Sequence, residues 1–184
     1  TSTKNLNLEG FLESKLDLQV QLSSNDTYLK TYKLKSPIIK DTNLLTTSLS
    51  VSAYNEDTSL NLDFSAYENL NKVDSDRFEF VYPSYYISKI LDTDERYEGN
   101  FTFITNGFVK NYDTNIFEKV AINDLIFNSN PKISNFGLRS NYNLLIKNVN
   151  ADSSNSVKYS NKRRHDLSSI VEYNSSIPLK KEEG

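Results

Sequence analysis

Hydrophobic and polar residues alternate strictly along the segment from residue 15 to residue 22. A helix would scatter the aliphatic positions around its axis, whereas a strand places them all on one face. This segment is therefore the clearest predicted strand. Its apolar face consists of Leu16, Leu18, Val20 and Leu22, and its polar face consists of Lys15, Asp17, Gln19 and Gln21.

A β-hairpin is predicted further along, over residues 45–66. Two alternating segments, 45–54 and 59–66, are separated by the polar residues 55–57. Two strands joined by so short a turn pair antiparallel. The apolar side of this hairpin includes Leu49, Val51, Leu60, Leu62 and Phe64, and its polar side includes Asn61 and Asp63.

Weaker alternation predicts further strands, and polar clusters predict the loops between them. The expected strands are residues 5–12, 77–91, 99–111, 117–127, 135–147 and 165–176, and the expected loops are 71–76, 92–98 and 149–162. Pro83 interrupts the first long strand of this series and predicts a bend, a bulge or two shorter strands. Because no long segment has a 3.6-residue apolar period, we predict an all-β protein with an antiparallel up-and-down meander of about eight or nine strands.

The alternation fits two architectures, a soluble β-sandwich and a transmembrane β-barrel with its apolar face outward. Strands of about ten residues match the length that crosses a bilayer. The small polar residues opposite the apolar face suit a hydrated lumen, and tyrosines are expected toward strand ends, where they would form interfacial girdles. Those tyrosines are Tyr54, Tyr67, Tyr82, Tyr85, Tyr86 and Tyr112. The same aromatic residues would equally fill a sandwich core or a sugar-binding face.

Composition narrows the function classes. The chain of 184 residues has a formal charge of −3, one histidine, and no cysteine, methionine or tryptophan. The two signs of charge are interspersed, so the basic stripe that a nucleic-acid backbone requires is missing from the sequence. No run approaches the roughly 18 apolar residues of a spanning helix, which excludes a helical membrane protein. We predict no metal site, no cofactor and no enzymatic activity.

Residues 16–32, reading LDLQVQLSSNDTYLKTY, resemble part of the barrel of the LPS-assembly protein (LptD) family of Gram-negative outer membranes. In that family an alternating strand runs into a serine-aspartate and tyrosine-leucine-arginine segment, matched here by residues 24–30. The later order is similar to alphaproteobacterial members: a loop with Pro37, the hairpin, the segment VYPSYY at residues 81–86, and RRHDLSSIVEYNSSIPL at residues 163–179.

The resemblance implies that residues 1–184 are an internal fragment of a barrel of about 26 strands, without the periplasmic jelly-roll domain of the family. It implies a role in the outer-membrane translocon that inserts lipopolysaccharide into the outer leaflet. The implied partners are lipopolysaccharide, an LptE-like lipoprotein plug in the lumen and the periplasmic bridge proteins that deliver the lipid. We expect this segment to form barrel wall and lumen lining rather than the lateral gate.

Within this interpretation the polar set Lys15, Asp17, Gln19, Gln21, Asn61 and Asp63 faces the lumen. The lipid-facing set is Leu16, Leu18, Val20, Leu22, Leu49, Val51, Leu60, Leu62 and Phe64. Arg163 and Arg164 belong to the only basic cluster of the sequence and are candidate contacts to lipopolysaccharide phosphates, since guanidinium groups match phosphate oxygens. A solvated strand edge or loop is the preferred explanation of these residues. Two alternatives to the translocon remain: another large outer-membrane barrel, such as a porin or receptor, and a soluble carbohydrate-binding β-sandwich.

Overall fold

The computed structural model describes residues 1–32 and 41–177, and strands account for most of this part. The strands are β1 (Ser2–Asn5), β2 (Glu13–Gln19), β3 (Leu44–Tyr54), β4 (Thr58–Asn69), β5 (Phe78–Leu91), β6 (Gly99–Tyr112), β7 (Ile116–Ser129), β8 (Lys132–Ile133), β9 (Arg139–Ser154) and β10 (Arg164–Ser176). The helical elements are α1 (Tyr28–Tyr32) and two 3-10 turns, Asp74–Arg77 and Glu95–Tyr97. Pro37 and the Pro178–Leu179 end of the last tract lie outside the described residues.

All ten strands form one antiparallel sheet. The order is β1-β2-β3-β4-β5-β6-β7-β9-β10, and the two-residue β8 pairs with β9 beside this path. Strands that follow each other in the chain are therefore neighbours in the sheet, except that β7 pairs with β9 instead of β8. The sheet is open, with β1 and β10 at its edges. The predicted all-β, antiparallel up-and-down meander is confirmed, with the short β8 as the one strand beyond the expected number.

Several strand boundaries differ from the prediction. The first strand spans residues 2–5 instead of 5–12, because Asn7 and Gly10 adopt positive φ angles of 52° and 85° and turn the chain there. β2 begins and ends earlier than the alternation suggests, so Val20 and Leu22 follow its last residue. β9 extends to Ser154 through a stretch predicted as loop.

The interruption at Pro83 is a β-bulge. The pairing of β5 with β4 shifts between Asp63 and Ser65, and its pairing with β6 shifts between Val81 and Ser84. The Tyr82–Pro83 peptide bond is cis. Because proline has no N–H to donate to a ladder, a bulge is the position in a central strand where it is tolerated. Of the three outcomes predicted for Pro83, the bulge is the one observed.

The segment after β2 returns to the sheet through a small apolar cluster. Leu29 of α1 packs with Leu45 of β3 and Leu70 after β4, and all three side chains are buried. At the start of this segment Asn25 forms an Asx-turn, in which its Oδ1 accepts a hydrogen bond from the backbone N–H of Thr27 at 2.9 Å. The cluster fixes α1 against one end of the β3–β4 hairpin.

An arginine fork adds a second attachment for the same segment. Nη1 and Nη2 of Arg77 donate to the two carboxylate oxygens of Asp26 at 2.9 and 2.6 Å, and its Nε donates to Glu68 at 2.7 Å. The hydrogen bonds from Arg77 lower the pKa of Asp26, so the carboxylate stays ionised below the usual aspartate range. Arg77 therefore ties the α1 segment to the end of β4.

Beyond this cluster the sheet has little core in the described residues. The other buried apolar residues are Ala53, Val120 and Phe127. Large side chains in the strand centres remain partly exposed, including Leu18 at 43%, Leu49 at 37% and Phe64 at 39%. Since a sheet normally buries its apolar face against a second layer, this exposed face is the main feature that a functional explanation must address.

Gly107 in β6 marks a close contact within the sheet. A Cβ atom at this position would lie 2.3 Å from the backbone oxygen of Val120 and 2.8 Å from the hydroxyl of Tyr85. Tyr85 is the cross-strand partner of Gly107, and its ring covers the glycine. A side chain at residue 107 would therefore displace backbone as well as an aromatic ring.

We predict that Gly107→Ala lowers the free energy of unfolding by about 1–3 kcal/mol, because the added methyl group overpacks this site. Urea denaturation followed by circular dichroism measures the effect. Ser48→Ala in the middle of β3 is the control and should leave the midpoint unchanged. A Gly107→Ala protein as stable as the parent would contradict the close approach.

Candidate functional site

The strand register assigns the predicted residues to two faces. Direct cross-strand partners point to the same side of an antiparallel sheet. Face A carries the pairs Leu16–Val51, Leu18–Leu49, Leu49–Phe64, Val51–Leu62 and Ala53–Leu60. Seven of the nine predicted lipid-facing residues are thus neighbours on one continuous apolar surface. The other two, Val20 and Leu22, lie after β2 and are 50% and 84% exposed.

The predicted lumen-facing residues of β2 and β4 lie together on the opposite face, face B. The partners are Lys15–Ser52, Asp17–Ser50, Gln19–Ser48, Ser52–Asn61 and Ser50–Asp63. Three serines of β3 thus separate the charged and amide side chains of the flanking strands. This part of face B is a hydrophilic surface with a row of serines at its centre.

Gln21 belongs to neither face of β2, because the strand ends two residues earlier. Its side-chain oxygen instead accepts a hydrogen bond from the backbone N–H of Thr46 at 2.7 Å, and its own N–H donates to the hydroxyl of Thr47 at 3.4 Å. At the start of β3, hydrogen bonds that involve a side chain thus take the place of the backbone hydrogen bonds between β2 and β3. It holds the end of β2 to the sheet rather than lining an open surface.

Face A continues across the sheet, but its apolar residues shift along the strands. The register line through Leu18 and Leu49 reaches Lys119 in β7 and Asp152 in β9. The apolar residues of face A in β9 are Leu144 and Ile146, which lie further along that strand, beside Phe127 and Leu125 of β7. The apolar band is therefore diagonal to the pairing register.

The size of this shift gives a strand tilt. The register line from Leu18 meets β9 at Asp152, whereas the apolar residues of face A in β9 are Ile146 and Leu144. The band therefore moves along the strands by six to eight residues over the six strand steps from β2 to β9. This is about 1.0 to 1.3 residues per step, and with about 3.3 Å per residue and about 4.8 Å between strands it corresponds to an angle of roughly 35–43° between the band and the perpendicular to the strands. Transmembrane barrels have strand tilts of about 35–45°.

Face B also changes character across the sheet, which sequence reasoning missed. In β6, β7 and β9 it carries the apolar residues Ile104, Phe108, Val120, Ile122, Ile126, Leu145 and Val149. Among them Nζ of Lys147 donates to Oδ2 of Asp124 at 2.7 Å, and the Asp124 side chain is only 15% exposed. The other oxygen of this carboxylate, Oδ1, is buried without a hydrogen-bond partner. An ion pair thus lies among these apolar side chains.

The two candidate phosphate contacts lie on different sides of the sheet. Arg164 starts β10 opposite Ala151 on face B and pairs with Asp166 at 3.4 Å. Arg163 precedes the strand and pairs with Asp152 of face A at 3.2 Å. The adjacent positions in the sequence suggested one basic cluster, but alternation at the start of a strand separates the two guanidinium groups.

The predicted tyrosine girdle is formed only in part. Tyr54 and Tyr112 are the last residues of β3 and β6, and Tyr67 lies near the end of β4. Tyr82, Tyr85 and Tyr86 instead surround the bulge in the middle of β5, so their expected position near a strand end is wrong. Because of the bulge, β5 is one continuous strand, whereas two shorter strands were among the predicted outcomes for Pro83.

Comparison with protein-family models and with curated proteins found no match for this chain. No helix within the described residues is long and apolar enough to cross a membrane. The same residues contain no group of three or more histidine, cysteine or acidic side chains able to hold a metal ion.

We predict that Lys147→Leu destabilises the sheet by about 1–3 kcal/mol, because it leaves the half-buried Asp124 carboxylate without a cation. Urea denaturation followed by circular dichroism measures the change. The double variant Asp124→Leu/Lys147→Leu should recover most of the loss, since two leucines match the surrounding apolar residues. Equal stability of Lys147→Leu and the parent would show that the ion pair has no structural role.

Proposed function

We propose that this chain is part of the wall of an outer-membrane β-barrel that inserts lipopolysaccharide into the outer leaflet. Face A is the surface in contact with lipid, and face B lines the lumen. The single observation that carries the membrane part of this proposal is the diagonal apolar band on face A.

A bilayer explains the diagonal band directly. The hydrocarbon layer is horizontal, so strands that cross it at an angle must place their apolar residues progressively further along the register. Strand length supports the same reading: β3 to β7, β9 and β10 contain 11 to 16 residues. Transmembrane strands need about 9–11 residues, whereas soluble strands cluster near 5–6.

Inside a bilayer, the backbone N–H and C=O groups of a sheet must find their hydrogen-bond partners within the protein. Strands β2 to β7 and β9 each have a hydrogen-bonded neighbour on both sides, so most of their backbone groups need no water. The two edge strands need further partners in the complete wall. The open sheet is therefore proposed as one arc of a larger barrel.

The lipopolysaccharide part of the proposal rests on the resemblance of residues 16–32 and 163–179 to the LPS-assembly family. In the structure the first of these segments comprises the end of β2, the Asx-turn and α1, and the ion pair of Asp26 with Arg77 ties it to the sheet. Lipopolysaccharide has a charged sugar head and several acyl chains, so a route for it needs a hydrated surface next to an apolar phase. The serine, amide and acidic side chains of face B in β2 to β4 suit that hydrated surface.

Tryptophan fluorescence tests the membrane contact, because the chain contains no native tryptophan. In vesicles of lipids brominated in the acyl chains, Leu49→Trp and Leu144→Trp on face A should be quenched. Ser50→Trp on face B is the matched control and should keep its emission. Ser154→Trp, on face A but away from the diagonal band, should also keep its emission.

Two results would count against the wall. Quenching of Ser154→Trp together with loss of quenching at Leu144→Trp would mean that the band follows the register and that the strands are not tilted in the bilayer. Absence of quenching at Leu49→Trp, in a protein that stays monodisperse without detergent, would favour the soluble β-sandwich.

Photo-crosslinking in Gram-negative cells tests the transported lipid. A crosslinking amino acid at Asp17 or Asn61, both on the lumen-facing side, should capture lipopolysaccharide during transport. The same probe at Leu62 touches the surrounding lipid in any outer-membrane barrel, so it serves only as a control for expression and insertion. Crosslinks at Leu62 with none at Asp17 or Asn61 would favour a porin or receptor.

A further inference from the structure

A chain of polar side chains crosses face A beside the apolar band. The hydroxyl of Thr105 donates to Oδ1 of Asn123 at 2.8 Å, and Nδ2 of Asn123 donates to Oδ1 of Asn148 at 3.2 Å. Asn150 donates to the same oxygen of Asn148 at 2.5 Å, and its own Oδ1 lies 2.7 Å from Nδ1 of His165. Five side chains from β6, β7, β9 and β10 thus form one hydrogen-bonded row.

Two cationic groups lie next to this row. The Lys119 side chain of β7 is exposed, and its ammonium group has no hydrogen bond or ion pair with any described residue. Its cross-strand neighbour Asp152 accepts hydrogen bonds from Nε and Nη2 of Arg163 at 3.4 and 3.2 Å. The Arg163 side chain is 70% exposed, so its remaining donors face outward. With one carboxylate between two cations, the cluster keeps a formal charge of +1.

A shallow depression of about 280 Å³ brings these groups together. It is lined by Lys119, Ala121, Asn150, Ala151, Asp152, Arg163 and His165. The small side chain of Ala121, which lies on face A, leaves room between the longer side chains. The depression is thus open, cationic and rich in hydrogen-bonding groups.

The apolar band begins at the next positions of the same strands. Phe103, Leu125 and Ile146 are cross-strand partners on face A, two residues along from Thr105, Asn123 and Asn148. An ammonium and a guanidinium group thus stand on one side of the polar row, and aromatic and aliphatic side chains stand on the other. This order matches the order of groups in a membrane lipid, from charged head to acyl chain.

We propose that Lys119 and Arg163 bind the phosphate of a membrane lipid headgroup, while its acyl chain lies on Phe103, Leu125 and Ile146. The inference rests on the proposed membrane wall and adds a defined lipid site to its outer surface. Guanidinium and ammonium groups are the usual protein ligands of phosphate, and Asp152 holds Arg163 in place without neutralising both cations. The adjoining asparagines supply donors and acceptors for the polar part of the headgroup.

The apolar strip distinguishes a lipid from free phosphate as the occupant. Two cations on an exposed surface hold a free phosphate weakly, since exposed ion pairs contribute little. The acyl chain of a lipid anchors it in the bilayer beside face A, which raises the effective concentration of its phosphate at the two cations above that of free phosphate. The protein's net charge of −3 also argues against a long polyanion as the ligand.

Native mass spectrometry of the protein in nanodiscs tests the site. The nanodiscs contain phosphatidylcholine with a minor fraction of either lipid A or phosphatidylglycerol, and the anionic lipid retained after transfer to detergent is counted. We expect retention of lipid A, of phosphatidylglycerol or of both, and a fall of about fivefold for each cation removed in Lys119→Ala, Arg163→Ala and the double variant. Arg163→Lys should keep most of the binding.

A charge-matched variant is the control. Lys110→Ala/Arg96→Ala removes one lysine on face B and one exposed arginine in the loop after β5, which pairs with Asp94 as Arg163 pairs with Asp152. It should retain the lipid as the parent does. Comparison of lipid A with phosphatidylglycerol identifies the source of the phosphate, and competition by millimolar inorganic phosphate tests whether the headgroup alone suffices.

Each unfavourable result has a definite meaning. If the double variant retains as much anionic lipid as the control variant, or if inorganic phosphate displaces the lipid completely, the proposed site is wrong. If brominated lipid still quenches Leu49→Trp in that case, only the lipid site is wrong and the proposal of a membrane wall remains. When Leu49→Trp is not quenched, the wall itself has failed.

Discussion

A wide apolar sheet face, which no second layer covers among the described residues, is the constraint on which the rest of this structure depends. The backbone of the inner strands is largely satisfied within the sheet, but several large side chains on face A, including Leu18, Leu49 and Phe64, remain more than a third exposed. Water is an unfavourable neighbour for such a surface. The face therefore needs an apolar neighbour. In the function proposed above that neighbour is a bilayer, and the drift of the apolar residues across the sheet is what strands crossing a bilayer at an angle would require.

The bulge at Pro83 is compatible with this continuous face because its effect cancels across β5. Two residues of β5 oppose one residue of β4, and the same two residues oppose one residue of β6. The register of β4 relative to β6 is thus the same on both sides of the bulge. The two faces that begin in β2 consequently continue to β10. Proline cannot donate a hydrogen bond to a neighbouring strand, and the bulge accommodates it within a single strand.

Sequence reasoning predicted the elements whose two faces differ most. β2, β3 and β4 alternate between aliphatic and polar residues, so period, pairing and face followed directly, as Leu49, Ser50 and Val51 illustrate. β9 was partly missed because its second half, NVNAD, has the composition of a loop; its pairing with β7 and β10 decides its conformation. The short α1 was missed because packing of one leucine and the Arg77 fork, both tertiary contacts, hold it in place.

The candidate site shows the same boundary between local and tertiary information. The two faces of β2 to β4 could be read from alternation, whereas the row of asparagines depends on which strands are neighbours. Arg163 and Arg164 looked equivalent because they are adjacent in the sequence. Only the start of β10 determines that one joins Asp152 on face A and the other joins Asp166 on face B.

The hydrophobic pattern alone does not determine the pairing register of β7 with β9, because both faces of these strands contain apolar residues. A slip of one residue would exchange the faces, yet it would still place aliphatic side chains beside aliphatic ones. It would also separate Lys147 from Asp124 on face B and Asn148 from Asn123 on face A. Polar pairs in half-buried positions therefore select the pairing that apolar contacts leave ambiguous, and the diagonal course of the apolar band depends on that selection.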